Sequence, residues 1–444
     1  MSERPAPLPG PPPHRPRSRF ATAARLWRIG RREPRFGWLL LDNLITTFGA
    51  SFTLIALPFL VMRLTGSAFD LGLTAAIEAL PSVLFLFFFG GFLDRANPIR
   101  VLWICRALYV VINASMGLLT WFGLMTIEII YALALFGGLV WAVAYPAGRA
   151  SFGLYIRKGL LPAGNAVFAV ASSLAMMLLP MLAGSLILAS SDGHGLAVAF
   201  WIDALSVAAS LWLLAAVRRR GPVRRPAQTG DAADASLANA TAAASTQAIP
   251  RSYYLYLLVS TVLVFGPVQI LLPVLLVEHG DARYFLVYVA QFAGIAAAAS
   301  FAGRASTGLG EVIVKLLACW AVAAMAYGLL AWNAGLATVL AAFCLLAGAS
   351  NFYGIQSLSW LQRSAAAQRM GREMTWFSAA TMGAMPLATL STGLLLERLR
   401  LAATSQWLMT LIALCLLAGI VHLRLRLVRV PALQTLRGPT APGA

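Results

Sequence analysis

Residues Gly90 to Leu102 read GGFLDRANPIRVL, an Asp-Arg pair, a proline and a second arginine set between apolar stretches at 70–92 and 101–122. Each flanking stretch is long enough to cross a bilayer, which takes about 20 apolar residues in a helix. A charged turn between two such stretches is the loop of a chain that crosses a membrane repeatedly. Composition agrees, because 60% of the 444 residues are hydrophobic and 11% are charged, far from the balance of soluble domains.

Working outward, further apolar runs lie at 37–62, 127–146, 166–190, 196–217, 253–277, 284–302, 312–332, 336–355, 374–396 and 404–423. That predicts twelve spans. They are helix length and lack the short alternating pattern of barrel strands, and a backbone in lipid must bond to itself, so they are helices. The fold class is therefore an all-α membrane protein.

Net charge is +18, which raises the question of a nucleic-acid partner. Its distribution gives a different answer. With the N-terminus inside, all Lys and Arg except Arg63, Arg283, Arg398 and Arg400 fall on the inner side. This is the positive-inside pattern and predicts that both termini are cytoplasmic. No aromatic-interleaved basic strands or soluble domain support a nucleic-acid reading. No secretory signal is expected ahead of the first span, since a long polar, Pro-rich stretch comes first. Cys105, Cys319, Cys344 and Cys415 all fall within spans with no CxxC, which fits packing.

Residues 1–35 form a basic tail, Pro- and Arg-rich at its start and then ATAARLWRIGRREPRF. The second part reads either as an interfacial helix on anionic lipid or as a topogenic tail. Residues 218–252 begin with arginines and continue in small polar residues, the composition of a flexible cytoplasmic linker. The sequon at Asn239 lies on the wrong side of the membrane for glycosylation. The linker divides the chain into bundles at 36–217 and 253–427, with a cytoplasmic tail at 428–444. Sliding one half over the other by 206 positions aligns Arg157 with Arg363, Pro180 with Pro386, Ser185 with Ser391, Trp201 with Trp407, Arg218 with Arg424 and Arg220 with Arg426. The expectation is two pseudo-symmetric six-helix bundles, with a substrate site between them near the midplane.

In this setting GGFLDRANPIR resembles the signature loop between spans two and three of the major facilitator superfamily. Gly90, Asp94, Arg95 and Arg100 match; Asn97 stands where glycine is usual, and Pro98 and Ile99 replace a basic pair. The resemblance implies a cytoplasmic gate that touches the start of span eleven, GREMTW from Gly371, and stabilises an outward-facing state. Physically, a glycine permits close helix approach, and an aspartate and arginines can bond helix ends. Four further segments, IALPFLVMRLTGSAFDLGL, PAGRASFGLYIRKGLLPAGNAV, FWIDALS and WLQRSAAAQRMGREMTWFSAATMGAMPLATL, are similar to the bacterial branch containing macrolide and enterobactin exporters. Membership implies alternating access, a place in the bacterial inner membrane, a small-molecule substrate and, for such exporters, proton antiport. LLPMLAGSL in span five resembles the exporters' Gly-Pro motif at Pro180 and Gly184, with Leu179 and Ala183 in place of glycines. The arginine of related exporters' span four is absent from YALALFGGLVWAVAY, and Arg106 is the candidate to replace it.

Charge within a span costs roughly 2.5–3.5 kcal/mol on insertion scales and marks a functional candidate. Asp42, Glu78, Arg106 and Asp203 are the candidates for proton coupling or substrate binding, all in the N-terminal half. A carboxylate in a low-dielectric site can take up and release a proton as access alternates. For Glu78, proton coupling or cation binding stands beside a helix-to-helix hydrogen bond. Asp42 shares the depth of Arg106, which fits an ion pair, and Asp203 fits a structural hydrogen bond. Polar cavity candidates are Asn43, Gln269, Gln291, Asn351 and Gln356, with Tyr353. A cavity acidic on one wall and apolar on the other suits a bulky, partly hydrophobic cation or zwitterion. Pro180, Gly184 and Pro386 are kink positions. No HExxH or Walker loop occurs, so no enzyme, metal or cofactor is expected, and no obligatory protein partner is evident. An importer, a uniporter and a non-transporting sensor with the same fold remain alternatives.

Overall fold

The computed structural model describes residues 34–88, 97–155, 179–180, 182–184, 194–219, 249–279, 281–301, 308–332, 335–364 and 370–436. The basic tail, most of the linker and of span five, and the loop holding Gly90, Asp94 and Arg95 lie outside them. The described chain is helical: α1 Pro34–Thr65, α2 Ala68–Phe88, α3 Pro98–Trp121, α4 Ile127–Tyr155 and α5 His194–Arg219 in the first half. The second half has α6 Arg251–Ser260, α7 Gly266–His279, α8 Val287–Phe301, α9 Leu309–Trp332, α10 Leu336–Ser364, α11 Met370–Thr381, α12 Met385–Arg398 and α13 Leu401–Leu436. Nine helices among the described residues are long and apolar enough to cross a membrane, and the arrangement fits twelve spans in two bundles.

Local chemistry sets the helix ends. Asn97 caps α3, its side chain accepting from the Ile99 N–H at 3.2 Å, and Pro98 enters the first turn, where no donor is needed. The departures from the signature loop at Asn97 and Pro98 thus start span three. Gly66 and Gly123 follow α1 and α3 with φ of 65° and 66°, the left-handed region that suits glycine after a helix. α13 runs on through Arg424, Arg426 and Arg429 to Leu436, past the expected boundary at 427. The stretch HLRLRLVRVPALQTL has no glycine but does hold Pro431, so helix propensity alone does not account for the last turns.

Among the described residues two spans are interrupted. Between α6 and α7 the chain makes a π-helical turn over Thr261–Phe265, with the Gly266 N–H bonding the Thr261 carbonyl. Between α11 and α12 the helix stops at Thr381, turns through Met382 to Ala384 and restarts with Pro386 in the first turn.

Packing between the bundles is concentrated at the end opposite the arginine-rich loops, which is the outer end in the expected orientation. There α2 crosses α12 so closely that a Cβ on Gly72 would lie 2.7 Å from the Thr389 carbonyl and 3.0 Å from the Gly393 Cα. The Phe69 N–H reaches the Glu397 carboxylate at 3.3 Å, and Phe59 stacks on Phe285 with centroids 6.4 Å apart. One continuous apolar core accordingly joins Phe52, Ile55, Leu71 and Phe200 to Tyr253, Leu271, Tyr327 and Phe343. At the inner end of the first bundle, Leu39, Ile99, Leu102, Ala147 and Leu214 form a separate core.

Candidate functional site

The first bundle is held by a polar seam between α1 and α5. On α1, Asp42, Thr46, Gly49 and Thr53 recur at helical spacing, and on the antiparallel α5, Asp203, Ser206 and Ser210 do so. These intervals place each set on one face. At the inner end Ser210 donates to Asp42 at 2.5 Å, and the Arg106 guanidinium on α3 stands 3.6 Å from the other Asp42 oxygen. Arg106 also donates to the Thr46 hydroxyl at 3.2 Å, and Thr46 donates to the Asp42 carbonyl at 2.8 Å. Asp42 is 5% exposed, so its charge depends on these partners.

Toward the outer end Thr53 donates to one Asp203 oxygen at 2.5 Å, and Ser206 donates to the Asp203 carbonyl at 2.8 Å. The second Asp203 oxygen is buried and has no hydrogen-bond partner among the described residues. Gly49 explains it: a Cβ there would lie 2.6 Å from that oxygen and 1.8 Å from the Ser206 hydroxyl. The backbone of α1 rests directly on the α5 side chains, the close approach that small residues allow in membrane helices.

Glu78 is placed differently. It lies mid-helix on α2 and is exposed, and among the described residues no hydrogen bond or ion pair engages its carboxylate. Its backbone is pinned, since a Cβ on Gly138 of α4 would lie 2.1 Å from the Glu78 carbonyl. The adjacent Gly137 carbonyl accepts from Tyr109 of α3 at 3.0 Å. Tyr109 lies within Coulombic range of Glu78, Arg106 and Asp203. The four ionisable candidates therefore share one bundle, with Asp42, Arg106 and Asp203 inside its seam and Glu78 outside it.

The cavity candidates divide. Gln269 is exposed, and Asn43, Gln291 and Asn351 are half-buried, Asn351 donating to Ala347 of its own helix at 3.2 Å. Gln356 is 1% exposed and accepts from Lys315 at 3.3 Å, so it faces α9 inside the bundle rather than an open surface. Lys315, which also pairs with Glu311 at 2.8 Å, does not stand out in the sequence because it falls at the inner end of span nine and counts toward the charge bias. Tyr353 is buried. Pro180 is buried, and a Cβ on Gly184 would fall 2.0 Å from the Phe285 ring; the span-five glycine is a contact between bundles. Arg100 is exposed in the first turn of α3, whereas the other gate residues, Gly90, Asp94 and Arg95, lie outside the described residues. Glu373, in the expected docking segment of that gate, bonds Tyr254 of its own bundle at 2.5 Å.

The sequence pattern of the Major Facilitator Superfamily matches residues 39–389. The chain belongs to this superfamily. Solved structures with the same fold include the nucleoside transporter NupG, at 12% identity and TM-score 0.63, covering 87% of this chain and 98% of that one. A bacterial homologue of the iron transporter ferroportin in its inward-facing state shares 17% identity with TM-score 0.61, covering 87% and 98% of the two chains. A bacterial homologue of the human lysosomal transporter Spinster, inward-facing and unoccupied, shares 14% with TM-score 0.59, covering 89% and 95%. No curated protein matches the sequence. The superfamily member described above is thus a multi-pass membrane protein with a transporter's fold.

Proposed function

We propose that this facilitator is a proton-coupled exporter of small amphiphilic molecules, related to the macrolide and enterobactin exporters and set in the bacterial inner membrane with both termini cytoplasmic. The observation that carries the reading is Glu78, a mid-span carboxylate with no partner among the described residues, beside a seam that already compensates Asp42. A carboxylate in that setting exchanges a proton at low structural cost, because no ion pair has to break. The apolar and aromatic character of the second bundle suits the hydrophobic part of a cargo, and the carboxylate suits a cationic part. Arg106, held by Asp42 and Thr46 and in range of Tyr109, is the basic group that links the seam to Glu78.

The test is a proton-release assay in inside-out vesicles under an imposed proton gradient, with a panel of macrolides, lipophilic cations and siderophores. Cargo-dependent collapse of the gradient is expected for the wild type and is lost in Glu78→Gln. A folded wild type that moves no protons with any compound refutes antiport, and an unchanged Glu78→Gln moves the coupling site elsewhere.

A further inference from the structure

We infer that the corner where spans one and six reach the arginine-rich end of the molecule binds one anionic phospholipid, with Arg219 on its phosphate and the Trp38–Trp212 pair against its glycerol and upper chains. The first bundle has there what the second lacks. Of the three arginines that close span six, Arg218 and Arg220 recur as Arg424 and Arg426 at the 206-residue offset, so they belong to the common stock of charge that sets orientation. Arg219 does not recur, since Leu425 stands in the matching place, and Trp212 is matched by Ala418. A topogenic role accounts for the shared arginines and leaves Trp212 and Arg219 unexplained.

The two side chains share a face. Their sequence separation is two helical turns, about 10 Å along α5. Trp212 is 68% exposed, and Arg219 is exposed in the last turn. Between them on that face stand Ala215 and Ala216, too short to fill the gap. On the neighbouring α1, Trp38 meets the Trp212 ring edge-on, with centroids 5.7 Å apart, and at Gly37 a Cβ would meet nothing within 4 Å. The result is a shallow recess with an indole wall toward the membrane centre and a guanidinium at its mouth. Among the described residues no acid pairs with Arg219, whereas Arg106, Arg283 and Lys315 each have one.

Depth and chemistry select the ligand. Tryptophan settles where lipid chains give way to head groups, and an arginine two turns farther out snorkels to the level of the phosphates. A guanidinium takes a phosphate through two parallel N–H bonds. A phosphatidylcholine head group carries its own cation beside the phosphate, so net charge favours a lipid such as phosphatidylglycerol, and the negative potential of an anionic leaflet acts in the same direction. The recess also adjoins the polar seam, because Ser210, which donates to Asp42, comes just before Trp212 on α5. A lipid seated there braces α1 against α5, and its occupancy registers as stability of the folded chain. None of this depends on which cargo the protein carries.

The test uses the full chain in a mild detergent, with phosphatidylglycerol or phosphatidylcholine of identical acyl chains added. In the wild type, phosphatidylglycerol should raise the thermal unfolding midpoint more than phosphatidylcholine does, and native mass spectra should retain one phosphatidylglycerol after other lipid is stripped. Arg219→Gln and Trp212→Ala should each remove both effects. Arg219→Gln alters an exposed side chain and no buried contact, so the variant folds and decides the matter by itself if Trp212→Ala does not. Arg424→Gln, which removes one positive charge at the same end of the other bundle, should leave both effects intact. Equal response of the wild type to the two lipids overturns the inference, as does a phosphatidylglycerol preference that survives in Arg219→Gln or in folded Trp212→Ala. Loss of the preference in Arg424→Gln as well makes it a property of total charge and overturns the assigned site.

Discussion

Gly49 is the smallest residue in the polar seam and sets its geometry. Any side chain there meets Ser206 and Asp203, and overpacking a close contact costs roughly 1–3 kcal/mol. Gly49→Ala should therefore lower the thermal unfolding midpoint of the purified protein in detergent. Gly49→Ala combined with Ser206→Gly should recover part of the loss, because the atom nearest the new methyl is gone. Equal destabilisation in the single and double variants would show that the seam tolerates separation and that the contact is not what holds α1 on α5. At this scale the sequence was informative about charge and less so about its partners. Asp42 and Arg106 were legible as a pair from their common depth. Thr46, Thr53, Ser206 and Ser210 do not stand out in the sequence, since a hydroxyl in a membrane helix commonly bonds its own backbone, as Thr46 and Ser206 also do here. The signal available was the shared spacing on the two helices.

Helices follow from apolar length, and their ends follow from residues such as Asn97, Pro98, Gly66 and Gly123. What hydropathy does not carry is a break within a span. TVLVF is as apolar as its surroundings, and its π turn lies where Gly266 packs closely on α12. The break in span eleven was half legible, because Pro386 announced a kink but not a turn of three residues before it. The outer loop after α7 shows how a short element is fixed by charge. Asp281 caps the 3-10 turn Ala282–Leu286, accepting from the Arg283 N–H at 2.8 Å and from its guanidinium at 2.9 Å. The Arg283 side-chain bond holds the Asp281 carboxyl below the usual carboxylate range. A depressed folded pKa means that the cap is fully formed above the unfolded value and is lost as pH falls through the folded one. Protection of the Arg283 amide from hydrogen exchange, corrected for intrinsic rates, should hold at neutral pH and drop on acidification. Asp281→Asn should remove that pH dependence; if the drop persists in the variant, another group controls the loop.

Across the whole molecule, two bundles meet through glycines at one end and carry separate cores at the other. The duplication visible in the 206-residue offset predicted paired bundles, and the packed end could not be read from it, since either end of a symmetric pair can close. The structure shows which contacts close the outer end: Gly72 on Gly393, Glu397 on the first turn of α2, and Phe59 on Phe285. A transporter alternates only if such a contact is worth little more than its counterpart in the opposite state, because an equilibrium moves from 1:99 to 99:1 for about 5.5 kcal/mol. Gly393→Leu places a side chain where the Ala68 carbonyl and the Gly72 Cα now sit, and so removes this contact alone. In a background with Cys105, Cys319, Cys344 and Cys415 replaced, a cysteine at Leu71, which is 4% exposed, should be shielded from a membrane-impermeant maleimide added outside. With Gly393→Leu the same cysteine should label quickly, as the population moves to the state open at that end. Unaltered protection of a folded variant would mean that closure of the outer end is held elsewhere, with the Glu397 contact to α2 and the Phe285 contacts to Phe59 and Gly184 as the remaining candidates.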